Sequence, residues 1–190
     1  MNARLLLLGL LHRGDFHPYE IKRRLEAAMV ECYIDVDVGT LYYAVRQLEK
    51  EKLIEAIAEE RVARGGMRTI YSITEKGRAE FLGGLHKQLE AEGPVSQTLY
   101  GAMLFLHLAD PALVKDAVRR RITRLDDLIA KLGPIGVEFA PKVGTGGAHL
   151  LSHIGQQRRL DRKWLKALLA DIEANGIRDV ADPAKLAART

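Results

Sequence analysis

The sequence predicts a mainly α protein: an N-terminal winged helix-turn-helix, three helices plus a β-hairpin wing, followed by an all-helical C-terminal domain. Three observations carry this. Apolar residues recur at helical spacing along much of the 190 residues. Strand-like alternation appears around 53–58 and 69–73. Glycine and proline gather at Gly65-Gly66, at Gly93-Pro94 and across GPIGVEFAPKVGTGG at 133–147, where turns or loops belong.

Residues 2–12 are apolar nearly all round, as a buried helix is. The stretch is short and carries only Arg4 ahead of it, with no small-residue cleavage site before Asp15, so it reads as a core helix and not a signal peptide. Gly14 and Asp15 end it. Pro18 suits the first turn of a second helix reaching about Val30, with Ile21, Leu25, Ala28 and Met29 inward. Asp37 or Thr40 caps a third helix, whose inner face is Leu41, Ala44, Val45 and Leu48. Two strands follow, with Gly65-Gly66 supplying the positive φ angles of their turn. Thr74 caps a fourth helix, closed by Gly93-Pro94. That dipeptide divides the chain into domains 1–92 and 93–190.

In the second half, 96–109 reads as one helix apolar nearly all round. Asp110-Pro111 starts the next, where Val118, Ile122, Leu125, Ile129 and Leu132 form a coiled-coil-like seam. After the loop at 133–147, a last helix covers about 148–174, and the tail after Gly176 is expected to be loosely held.

The net charge of +4 lies wholly beyond residue 90, since residues 1–90 carry fourteen basic and fourteen acidic side chains. A nucleic-acid footprint in the first half must therefore come from local clustering. No run of about 18 apolar residues points to a membrane span. Cys32, the one cysteine, permits no internal disulfide, which fits a cytoplasmic protein; it is expected to be a small buried residue.

A three-helix core turns one face of the third helix outward, narrow enough to enter the major groove of DNA. On that face Arg46 suits guanine and Gln47 suits adenine. Thr40, Tyr42 and Tyr43 offer hydroxyls to phosphates, and Lys50 offers charge. Arg61, Arg64 and Arg68 surround the hairpin tip, placed to neutralise phosphates. Alone, each set reads as a solvated charged surface; the order helix–helix–helix–strand–strand favours DNA.

Taken together, Leu6–Leu11, His17-Pro18-Tyr19-Glu20-Ile21, the run Gly39–Leu48, Leu53-Ile54 and Tyr71-Ser72-Ile73-Thr74-Glu75-Lys76-Gly77-Arg78 resemble the PadR family of bacterial transcriptional regulators, over about residues 3–82. The resemblance implies a recognition helix at about 39–50, with Tyr42 at the family's characteristic tyrosine. It implies a wing at about 59–68 and a homodimer built by the C-terminal helices, here 96–132 and 149–172. It also implies a repressor of double-stranded DNA operators released by a small-molecule effector. Two positions depart from the family pattern: Pro18 and Lys52 stand where glycine is usual.

Trp164 and Phe105 are candidate effector contacts, although filling a core is the plainer role for such rings. His149 and His153, four apart on one helix, lack an acid or cysteine to complete a metal site. No phosphate-binding loop, dinucleotide fingerprint or nucleophile elbow is present, so neither enzymatic activity nor a cofactor is expected. The competing class is a winged helix that binds protein in place of DNA, kept open by the zero net charge of residues 1–90.

Overall fold

The computed structural model describes residues 1–62, 66–139, 142, 144–174 and 176. The chain divides into two compact units, Met1–Ala109 and Asp110–Thr190.

In the first unit, Asn2 caps α1 (Ala3–Leu11) by accepting from the Leu5 N–H. Leu6, Leu7, Leu8 and Leu11 are all buried, so α1 is the core helix its composition requires. His17 caps α2 (Pro18–Ala27) through Nδ1, with Pro18 in the first turn. This helix stops short of Val30. Met29 takes a left-handed conformation, φ 50°, and a 3₁₀ turn, Val30–Cys32, follows. The break turns Val30 inward and leaves Ala28, Met29 and Cys32 exposed, against the expectation for all three. A second 3₁₀ turn, Val38–Thr40, leads into α3 (Leu41–Lys50). Asp37 accepts from the Gly39 N–H at 2.7 Å, while Thr40 occupies the N-cap position of α3 without a side-chain cap bond.

The end of α3 meets a backbone demand that the sequence hides. Lys52 sits at φ 60°. Its N–H reaches the Glu49 carbonyl at 2.9 Å, and the Leu53 N–H reaches the Leu48 carbonyl at 2.9 Å. These are the two bonds of a Schellman cap, in which glycine is the usual left-handed residue. Lysine there pays about 1–2 kcal/mol of Cβ crowding. Lys52→Gly is expected to raise unfolding stability by about 0.5–1 kcal/mol, after the entropy that glycine adds to the unfolded chain. Urea unfolding checks this, and a destabilised variant would show that the lysine stem contributes more than its backbone costs.

Strands β1 (Ile54–Val62) and β2 (Gly66–Ile73) pair antiparallel, from Ile54 with Ile73 to Val62 with Gly66, and Ile57 is the extra residue of a bulge. Both strands run longer than their alternation suggests. Gly66 is thus a strand residue; Gly65, the other expected turn residue, lies outside the described residues. Phe16 adds a bridge to β2, exchanging two backbone hydrogen bonds of 3.1 Å with Tyr71. This ties the wing to the connection between α1 and α2.

Thr74 caps α4 (Glu75–Glu90) by accepting from the Gly77 N–H at 3.0 Å. The single helix expected over 96–109 is broken into α5 (Val95–Thr98), α6 (Tyr100–Met103) and a 3₁₀ turn, Leu106–Leu108. The inward stripe Val95, Leu99, Ala102, Leu106 survives the break. At Phe105 the backbone leaves the helical region, φ −127°, and the ring meets Phe81 edge-on at 5.3 Å. Any side chain at Gly9 would collide with these two rings. Residues 95–109 therefore belong to the first compact unit, whose limit falls later than Gly93-Pro94.

In the second unit, Asp110 accepts from the Ala112 N–H at 2.8 Å and opens α7 (Pro111–Phe139). The expected loop at 133–147 is largely helix, because α7 continues through Gly133-Pro134 and α8 (Thr145–Glu173) begins at its far end. Proline removes one helical hydrogen bond and crowds the Cβ of the residue before it; here that residue is glycine, which has none. Ion pairs Arg119–Glu173 and Arg162–Asp126, both 2.8 Å, show α7 and α8 packed antiparallel within one chain. The tail after Gly176 lies outside the described residues. Among the described residues, no helix is long and apolar enough to cross a membrane.

Candidate nucleic-acid interface

α3 packs against α1 and α2 through Leu41, Ala44, Val45 and Leu48, all buried. Burying each leucine contributes about 1.5–3 kcal/mol, which fixes the rotation of the helix about its axis. The opposite face is therefore determined. Tyr43 is 68% exposed, Tyr42, Arg46 and Lys50 are exposed, and Gln47 is half-buried. Arg46, Gln47 and Lys50 lie three, four and seven residues after Tyr43, which puts all four in a single stripe along the helix.

Charge pairing sorts the cations. Arg4 holds Glu51 with two hydrogen bonds, 2.8 and 2.6 Å, and this bond keeps the Glu51 carboxyl below its ordinary range. Arg24 pairs with Glu20 at 2.7 Å and lies over the Phe16 ring; Lys22 pairs with Glu26. Arg46, Lys50, Arg61 and Arg68 form no ion pair among the described residues.

Tyr71 links the wing to α3. Its backbone bridges to Phe16, and its hydroxyl donates to Glu49 on α3 at 3.3 Å. Burial, then the Glu49 charge, raises the phenol pKa, while the Arg46 charge works against that rise. The bond also occupies Glu49, the one carboxylate on the outward side of α3.

Arg68 lies 5.6 Å from the exposed Tyr19 ring, above the first turn of α2. Its charge reinforces the burial that lowers the His17 pKa. Arg68 therefore converges with Tyr19 and the α2 N-terminus, whereas Arg61 stands further along the hairpin opposite Met67. Tyr19 and Tyr71 were not expected as site residues. Their motifs show a tyrosine at each position, but which element each one touches is a non-local fact.

Not every expected contact is displayed equally. The Thr40 hydroxyl already donates to the Asp37 carbonyl at 2.7 Å, so a phosphate would have to take over that proton. Arg64 lies outside the described residues. Phe105 is only 2% exposed and is a core ring of the first unit; Trp164 is half-buried on α8, in the second. His149 and His153 are both exposed on α8. A cleft of about 730 Å³ lies between α1 and α4, with Leu5, Leu8 and Gly83 as its apolar floor and Arg4, Lys76, Glu80 and Lys87 among its charged lining.

Residues 7–82 match the family described as "Transcriptional regulator PadR-like family". No curated protein matches the chain. Among solved structures it is similar to the PadR-like transcriptional regulator BC1756 of Bacillus cereus, with 25% identity, 91% of this chain and 99% of that one covered, and a TM-score of 0.37. It is also similar to Bacillus subtilis PadR in complex with operator DNA: 16% identity, coverage of 89% and 98%, TM-score 0.40. The same B. subtilis protein in complex with p-coumaric acid gives 16% identity, coverage of 90% and 94%, and a TM-score of 0.35.

Proposed function

Because residues 7–82 belong to the PadR-like family of transcriptional regulators, we propose that this chain regulates transcription by binding double-stranded operator DNA as a homodimer. The observation that carries the proposal is the outward stripe of α3. Its cations form no ion pair among the described residues, its inner face is locked by buried leucines, and the wing is tied to it through Tyr71. Arg46 and Gln47 read base edges, while Tyr42, Tyr43, Lys50, Arg61 and Arg68 hold phosphates. Titration of the pure protein against its own upstream promoter, at several salt concentrations, tests this. Binding confined to that promoter, weakening steeply with salt, is expected. The absence of binding at micromolar protein defeats the reading.

The dimer rests on the second unit. Leu113, Leu128, Leu150 and Leu160 are exposed on α7 and α8, and Leu160 is 62% exposed. A second copy covers them, and the two recognition helices of such a dimer read half-sites about one DNA turn, 34–36 Å, apart. Leu160→Glu is expected to lower the mass seen by light scattering towards that of a monomer; a monomeric wild type would overturn the assignment.

In this reading the regulator is a repressor, and a small organic anion releases it. The cleft between α1 and α4 supports the second part through its apolar floor and its excess of cations over carboxylates. A ligand releases the operator only by binding the DNA-incompetent dimer better. The alternative, a winged helix that binds protein, is favoured by one observation: Ile57 and Met67 are exposed on the wing. Retained partner capture without any DNA binding would select it.

A further inference from the structure

We propose that the corner where α1 ends against α4 is an acid-sensitive latch, opened by protonation of His12, that releases the segment 99–109. His12 follows α1, and its Nδ1 lies 3.3 Å from Nη1 of Arg78 in the first turn of α4. A guanidinium only donates, so Nδ1 accepts and the imidazole proton sits on Nε2. That Nε2 is buried, with no hydrogen-bond partner among the described residues. The neutral ring is thus held by one accepted bond and by packing. It lies 4.8 Å from Phe81, which in turn meets Phe105 edge-on at 5.3 Å. His12, Phe81 and Phe105 form one aromatic row, and its last ring belongs to the segment being held.

Protonation reverses each of these relations. A proton on Nδ1 points at the Arg78 guanidinium, which removes the hydrogen bond and sets two positive groups 3.3 Å apart. The other charged groups facing the corner come from all the elements packed there. Arg78 and Glu75 come from α4, His107 from the 3₁₀ turn, and Arg13 from just beyond α1, where it acts on His107. Glu75 is the negative group that acts on His12; it lies 3.5 Å from Arg78, and its side chain is almost fully exposed. In acid, His12 and Arg78 therefore face each other as two cations, and the carboxylate nearest Arg78 is solvated.

Burial foremost, then the neighbouring cations, lowers the pKa of both His12 and His107 below the ordinary 6.5. The sign follows directly. The unfolded chain takes up protons first as pH falls below 6.5, so the hold on the segment is complete above that value and is lost through the folded-state pKa of His12. The segment concerned holds Leu99, Ala102 and Phe105 in the core and leads directly into α7.

Amide hydrogen exchange on the full-length protein, between about pH 7.5 and 5.5, tests the latch. With exchange corrected for its intrinsic pH dependence, protection of 99–109 is expected to fall several-fold in acid. His12→Asn, which keeps an acceptor facing Arg78 and cannot titrate, is expected to abolish that fall. An equal fall in the variant overturns the proposal. So does a loss confined to the first turn of α2, where His17 titrates. Should the variant fail to fold, NMR titration of the wild-type imidazoles decides. Ring signals of His12 that titrate below 6.5, together with the amides of 99–109, support the latch. Titration at or above 6.5, or with those amides unmoved, overturns it.

Discussion

Arg46→Ala is expected to cost about 1–3 kcal/mol of discrimination between operator and random DNA. That corresponds to a roughly 5- to 150-fold narrowing of the affinity ratio. The side chain lies mid-stripe on α3, exposed and without an ion-pair partner among the described residues, on a helix whose rotation is fixed by Leu41 and Leu48. A guanidinium so placed spans O6 and N7 of one guanine, and no other residue of the stripe offers that fork. The loss belongs to the operator arm of a competition assay and leaves non-specific affinity nearly unchanged. Arg68→Ala provides the contrast. In the proposed reading it neutralises phosphate near Tyr19 and the α2 N-terminus, so its removal is expected to weaken every sequence alike and to make the salt slope shallower by about one. Equal losses on operator and random DNA for Arg46→Ala would move that residue into the phosphate class and leave base reading to Gln47.

Gly77→Ala is expected to destabilise the first unit by about 2 kcal/mol, because overpacking a tight site costs about 1–3 kcal/mol. A Cβ at this position would overlap the Leu53 carbonyl oxygen and stand 2.8 Å from Cγ1 of Ile73. Neither neighbour can yield cheaply. The Leu53 carbonyl accepts from the Thr74 N–H and from the Thr74 hydroxyl, both at 3.1 Å, and that same hydroxyl caps α4. Moving it loses a cap worth about 1 kcal/mol and shifts the end of β2, hence the wing. Gly83→Ala in the same helix is the control. Nothing lies within 4 Å of its added methyl, so replacing a helical glycine is expected to raise stability by up to about 1 kcal/mol. Opposite signs for the two variants in urea unfolding establish the close approach; a stabilised Gly77→Ala would remove it.

These two sites show how much was legible. Helical periodicity identified the inner stripe of α3 from residue types alone, and with it the outward set that includes Arg46. Pro18 at the start of α2 and Thr74 at the start of α4 were equally readable, because a cap depends on residues within one turn of itself. The reason for Gly77 was not readable, since the atom it must avoid belongs to Leu53, on a different element. The same holds for Tyr71, whose hydroxyl reaches α3 and whose backbone reaches Phe16.

The sequence by itself determined the order of the helices and strands over residues 2–90, the buried faces of α1 and α3, and the residue types turned outward on α3. All of these are set by neighbours three or four positions away. Tertiary structure alone decided four things. Met29 and Lys52 adopt left-handed backbone, so Val30 goes inward and α3 closes in a tight cap. The apolar stretch 96–109 breaks, which brings Phe105 to Phe81. α7 runs on through Gly133-Pro134, where local signals call for a loop. Arg68 reaches Tyr19 across the sheet. In each case the deciding interaction joins residues far apart in the chain, or local rules permit two outcomes and packing selects one. A pattern of residue types carries the first kind of constraint and is silent on the second.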